Sequence, residues 1–90
     1  MPADDFLAQL KLGLAHSAFA RQQWEEAERR FRDIIQTLPE SDAAPEALYW
    51  AGVAKYKGSG NAAALNDTAK QFKQRYAQST WAKKASVWAA

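Results

Sequence analysis

Between Gln22 and Ser41 the apolar residues Trp24, Ala27, Phe31, Ile34, Ile35 and Leu38 recur in steps of three and four. That spacing lays them along one stripe of a helix. The opposite face reads Glu25, Glu26, Arg29, Arg30, Arg32 and Asp33. Glu25, Glu26 and Glu28 each stand four residues before an arginine, the favourable order for helical ion pairs. Such pairs are worth only ~0.2–0.5 kcal/mol each, so these charges chiefly keep their face in water. Leu38-Pro39 ends the helix, because a residue before proline is pushed out of the helical region. A single amphipathic helix is not stable alone, so the rest of the chain must cover it.

The preceding segment, from Asp4-Asp5 to about residue 21, is apolar on two sides. Phe6, Leu10, Leu14 and Ala18 form one stripe, and Ala8, Leu12, Ala15 and Phe19 form another. One of them can pack on the Trp24–Leu38 stripe. The other needs a second cover: the next hairpin, a bound segment or a preceding domain. After Ser41-Asp42 a third helix starts with Pro45 in its first turn, where proline is tolerated. Leu48, Ala51, Gly52 and Ala54 lie on its packing side, and Gly52 implies close approach of a neighbouring helix. Gly58-Ser59-Gly60-Asn61 reads as a turn ending in an N-cap residue. Leu65, Ala69, Phe72 and Tyr76 stripe a fourth helix; Ala82, Ala85 and Trp88 follow Ser79 on a fifth. The pattern therefore predicts an all-α chain with helices near 4–21, 23–37, 44–57, 61–76 and 80–89 and no strand.

Leu38, Ser41, Ala44, Ala47 and Trp50 return as Tyr76, Ser79, Ala82, Ala85 and Trp88, each 38 residues on. A period in this range marks stacked repeats, in which each hairpin buries the apolar side of its neighbour. Leu14, Ala15, Ala18, Ala27, Phe31, Ile34 and Pro39 resemble one tetratricopeptide repeat, with Ala15 in the small-residue position. Residues 48–77 resemble a second, with Gly52 in that position, although Ala77 stands where proline is usual and the turn after Tyr56 is longer. Residues 79–90 resemble a third first-helix used as a cap. The resemblance implies one domain over 1–90: repeats at about 5–39 and 43–77, then a capping helix at about 79–90, stacked as a tetratricopeptide-like superhelix. The Ala-Pro-Glu-Ala-Leu-Tyr-Trp-Ala-Gly run is similar to repeats of bacterial envelope proteins, such as the outer-membrane assembly lipoprotein BamD and the Tol-Pal-associated coordinator. The segment from Pro2 also resembles the carboxyl-terminal helical domain of bacterial thioredoxin-like proteins. That resemblance implies a thioredoxin-like domain upstream in a parent chain, with any Cys-x-x-Cys chemistry located there.

Composition removes several functions. The chain has no cysteine, so it holds no disulfide, thiol nucleophile or cysteine-ligated metal. No apolar run approaches the ~20 residues of a membrane span, and the amino terminus lacks the basic lead and apolar core of a signal peptide. The sequence reads as soluble, in the cytoplasm or a bacterial periplasm according to the parent chain. The net charge of +2 is uneven. Residues 1–46 carry five Lys/Arg against nine acids, a net of −4; residues 47–90 carry seven against one, a net of +6. The basic half admits nucleic acid as an alternative partner, but lysines on a solvated helix face are the simpler reading.

Catalytic candidates are weak. His16 is the single histidine and has no nucleophile motif or spaced metal ligands beside it. The Glu25/Glu26/Glu28 cluster is matched by arginines, and Gly58-Ser59-Gly60 lacks the strand that a phosphate loop follows. No cofactor is expected, and the expectation is a non-enzymatic module that binds or positions a protein or peptide. The tetratricopeptide resemblance implies a groove lined by the first helix of each repeat. Counted from Ala15 and Gly52, the groove positions are Gln9, Leu12, His16 and Phe19, then Tyr49, Val53, Tyr56 and Lys57. Trp24 and Trp88 have core spacing, and Trp50 and Trp81 near the repeat junction are read as core or as partner contacts. The competing expectation is a structural or dimerisation appendage of a thioredoxin-like protein.

Overall fold

The computed structural model describes the backbone over residues 3–88 and the side chains over residues 6–88. Five helices follow one another: α1 (Ala3–Ala20), α2 (Trp24–Thr37), α3 (Ala43–Ser59), α4 (Ala63–Gln74) and α5 (Thr80–Ala85). A 3₁₀ turn over Ser86–Trp88 extends α5. No strand occurs among the described residues. The all-α expectation holds, with packed helical hairpins α1–α2 and α3–α4 and α5 laid against the second. The expected last residue of the fifth helix, 89, lies outside the described residues.

Helix ends follow the local chemistry. At the α1–α2 turn, Gln22 adopts φ +63°, and the Gln23 and Gln22 amides donate to Ala18 and Phe19 carbonyls at 3.0 and 2.9 Å. This is the left-handed termination that usually calls on glycine. Helix α3 runs through Gly58 to Ser59 and stops at Gly60, φ +69°, whose amide reaches Tyr56 O at 2.7 Å. Asn61 serves α4 as expected in chemistry, since its Oδ1 accepts from the Ala63 amide at 2.9 Å, but α4 begins two residues later than the pattern suggested. It also ends two residues earlier. Arg75 is extended and Tyr76 sits at φ +62°, while the Tyr76 hydroxyl donates to Pro39 O at 2.6 Å. The chain leaves the helix so that this tyrosine can fasten the second junction to the first.

The 38-residue echo is a structural one. Ser41 donates from its hydroxyl to Leu38 O at 2.7 Å and from its amide at 3.1 Å. Ser79 makes the same two bonds to Tyr76 O, at 2.8 and 3.0 Å. Ser79 Oγ also accepts from Ala82 N at 3.0 Å and so caps α5.

Packing converges on α3, which touches α1, α2, α4 and α5. Its buried residues are Ala43, Ala44, Ala47, Leu48, Ala51, Gly52 and Ala54, small side chains on several sides of one helix. From α2, Phe31 and Ile34 are fully buried against this surface. The second hairpin is set by Gly52: a Cβ there would stand 2.0 Å from Thr68 Oγ1. Thr68 is itself buried, and its hydroxyl is turned to Ala64 O at 2.8 Å. The two sides of α1 are also resolved. Ala8, Leu12, Ala15 and Ala18 are buried, whereas Phe6, Leu10 and Leu14 stay exposed.

On α2, Arg30–Glu26 and Arg32–Glu28 form at 2.7 and 2.8 Å. The third expected pair does not: Arg29 bonds Glu26 instead of Glu25, because Glu26 stands within reach of both arginines. That hydrogen bond from Arg29, reinforced by Arg30, holds the Glu26 carboxyl below its ordinary range. Lys11 Nζ joins the two helices through Asp33 at 2.5 Å.

Two substitutions measure this packing. Phe31→Ala should cost ~3–5 kcal/mol in urea unfolding, and a cost below ~1 kcal/mol would remove Phe31 from the core. Gly52→Ala should cost ~1–3 kcal/mol, since the new methyl meets a buried threonine held by its own hydrogen bond. A neutral Gly52→Ala would mean the α3–α4 contact is looser than described.

Candidate functional site

The residues expected to line a groove come from α1 and α3, and the structure treats them differently. Leu12 is only 6% exposed and belongs to the core, which corrects its place in the groove set. Its position faces the helices that cover α1, so its side chain is spent on packing. Gln9 is exposed and makes no contact that the site uses. His16 and Phe19 are half-buried. On α3, Tyr49 and Val53 are half-buried while Tyr56 and Lys57 are exposed.

Aromatic contacts bring most of these residues together. Trp50 is the junction: His16 meets it edge-on at 5.4 Å, Phe19 at 5.4 Å and Tyr49 at 5.2 Å. His16 also stands edge-on to Phe31 at 5.0 Å. Tyr49 continues the path to the end of the chain, stacked on Trp88 at 4.8 Å and tilted against Trp81 at 5.1 Å. In the other direction Phe19 meets Trp24 at 5.0 Å, and Lys57 Nζ lies 5.5 Å from the Trp24 ring. A single aromatic seam therefore runs from Lys57 to Trp88 across α1, α2, α3 and α5. Val53 and Tyr56 follow Tyr49 at four and seven residues, on the same face of α3.

Two polar features lie in the seam. His16 Nε2 is 3.2 Å from Glu46 Oε2, a link between α1 and α3. Trp50 Nε1 is buried and has no hydrogen-bond partner. Glu46 was not among the sequence candidates. It lies one turn before Trp50 on α3, but the pairing with His16 spans 30 residues and leaves no trace in helical spacing. Trp50 and Trp81, which the sequence reads as core or as partner contacts, share one ring cluster with Tyr49.

No family model, curated protein or solved structure matches this chain. The seven cations of residues 47–90 are all exposed and are spread over α3, α4, α5 and the junction before α5. Three rest on aromatic rings: Lys57 as above, Arg75 on Tyr76 at 4.9 Å and Lys84 on Trp81 at 4.2 Å. Among the described residues no three His, Asp or Glu side chains are grouped to hold a metal ion. No described helix is long and apolar enough to cross a membrane.

The seam divides the candidate residues by their work. Tyr49 is enclosed by three tryptophans, so Tyr49→Ala should lower stability by ~2 kcal/mol or more. Tyr56 leans on the surface, so Tyr56→Ala should stay within ~0.5 kcal/mol of the parent chain. Urea unfolding of the two variants decides this, and equal costs would contradict the division.

Proposed function

We propose that this chain is a non-enzymatic helical-repeat module of the tetratricopeptide kind. It holds a segment of another protein, or of a neighbouring domain in a longer parent chain, against the face shared by α1 and α3. The observation that carries the reading is the exposed end of the aromatic seam. Tyr56 is 37% exposed and Lys57 is exposed with its ammonium 5.5 Å from the Trp24 ring, both on a helix that α1, α2, α4 and α5 pack against. An amphipathic ring on a fixed backbone offers apolar area at low entropic cost, the character of an interface anchor. A lysine in the last turn of α3 is favoured by the helix dipole and would meet an acidic residue of the bound segment.

The tetratricopeptide assignment draws support from the matching Ser41 and Ser79 junctions and from Ala15 and Gly52, both buried in the small-residue positions. The non-enzymatic reading draws on His16, whose ring is committed to Glu46, Phe31 and Trp50. Dispersal of the cations over several elements favours a protein partner over nucleic acid.

Selection from a displayed peptide library, followed by titration of the enriched peptides, tests the reading. The doubly substituted Tyr56→Ala, Lys57→Ala chain should bind them ~2 kcal/mol more weakly with its helical content intact. An absence of enrichment, or equal affinity for the double variant, would contradict it. Oligonucleotides at low salt should give no saturable binding. Tight binding that falls steeply with salt would favour the nucleic-acid alternative.

A further inference from the structure

The 38-residue echo builds two equivalent grooves, and the molecule fills one of them. The first lies between α2 and α3, where Phe31, Ile34, Ile35, Ala44 and Leu48 are all buried. Its cover on the α3 side is α4. Ala44, Leu48 and Gly52 recur every four residues, on one face of α3. Thr68 packs on Gly52, and the Tyr76 hydroxyl donates to Pro39 O at 2.6 Å, just before α3. Those two contacts lay α4 along that face. Phe72, midway between them, is carried into the core that holds Ile34, Ile35 and Leu48.

Thirty-eight residues on, the same positions are Ala69, Phe72, Lys73, Ala82 and Ser86, between α4 and α5. With Lys83 and Ala77 they line a cavity of about 290 Å³. Its floor, Ala69 and Phe72, is buried, while Lys73, Lys83 and Ser86 are exposed. All of its lining comes from the stretch 69–86, so no third helix closes it as α4 closes the first. We propose that this second groove docks an α-helix of another protein, apolar along its centre and acidic on its flanks.

The shape of the occupant follows from the filled counterpart. There the groove takes a helix that inserts a phenylalanine. Ala69 stands where Phe31 does, and Ser86 where Leu48 does, which leaves room that the first groove fills with its own side chains. The Ser86 hydroxyl is turned back to Lys83 O at 2.6 Å, so it asks nothing of an apolar side chain entering beside it.

Charge then selects the flanks. Ile35 and Pro45 of the first groove become Lys73 and Lys83 in the second. One stands on α4 and the other on α5, so both rims are cationic, and no acidic side chain lines the cavity. Lys70 and Lys84 are exposed on the same two helices, and Asp67 is the single acid in residues 47–90. Carboxylates on either side of an apolar stripe would meet these lysines, whereas a basic helix would be turned away. The groove shares no residue with Tyr56 and Lys57, so this docking goes beyond the α1–α3 reading and stands or falls apart from it.

The segment that fills the first groove supplies the probe. It is a synthetic peptide of residues 61–76 carrying Lys70→Glu, Gln71→Glu, Lys73→Glu and Gln74→Glu, with Thr68 and Phe72 unaltered. Titrated into the isotope-labelled 90-residue chain, it should shift the amides of residues 69–73 and 82–86 and reach saturation. The peptide of unaltered, basic sequence should bind about tenfold more weakly. The acidic peptide with Phe72→Ala should lose a similar factor. Reversing the rim, with Lys73→Glu and Lys83→Glu in the protein, should invert the preference between the acidic and unaltered peptides. The Tyr56→Ala, Lys57→Ala chain should bind the acidic peptide as the parent does, which separates this groove from the other face. No saturable binding, equal binding of the two peptides, or shifts centred outside the groove overturns the proposal. Shifts of the same amides with protein concentration alone would make a second copy the occupant, and overturn it too.

Discussion

Every other helix of this chain rests on α3, and α3 can accept them because its buried side chains are small. Alanines at 43, 44, 47, 51 and 54 let neighbouring backbones come close on several sides, and Gly52 lets Thr68 of α4 pack directly on α3 with no room for a methyl group. Close packing of this type gains its stability from many short contacts and tolerates little change in volume. It also decides what the larger residues can do. With alanine at most of the inner positions, the tryptophans and tyrosines are displaced to the margins of the helix layers. There they meet one another as the seam from Trp24 to Trp88.

The character of the two outer faces follows from that arrangement. On the α3 side the aromatic rings are already committed to each other around Trp50, and the carboxyl end of the helix, at Tyr56 and Lys57, is the more exposed part. On the α1 side the inner positions are Ala8, Ala15 and Ala18 with Leu12, and the bulky Phe6, Leu10 and Leu14 are turned outward. One face is thus rich in contacts and poor in free area, and the other is the reverse.

Much of the fold was legible in the chain because the stripes on α2 and α4 are unambiguous and because Ser41 and Ser79 repeat the same turn chemistry 38 residues apart. Gly52 announced a close approach, though only the structure names Thr68 as the other side. The two stripes of α1 could not be ranked from hydrophobicity. The bulkier one looks like core by transfer free energy, but α3 and α2 come too near for it, so the alanine-rich stripe with Leu12 was buried instead. This is why a residue counted into a groove became a packing residue. The early end of α4 was hidden for a different reason: the Tyr76 hydroxyl bonds the carbonyl of Pro39, a partner 37 residues away. The His16–Glu46 link is equally non-local, and helical periodicity carries no information about either.

The claim that α3 holds the molecule together is tested most directly by native-state hydrogen exchange, resolved by residue. If the other four helices depend on α3, its central amides, from Leu48 to Ala54, should exchange only through global unfolding, and the inner amides of α2 should share that free energy. The outer turns of α1 and the 3₁₀ turn at Ser86–Trp88 should open at lower cost. An α1–α2 hairpin that keeps its protection while α3 exchanges freely would contradict the account. It would show two independent hairpins in contact instead of one fold built around a central helix.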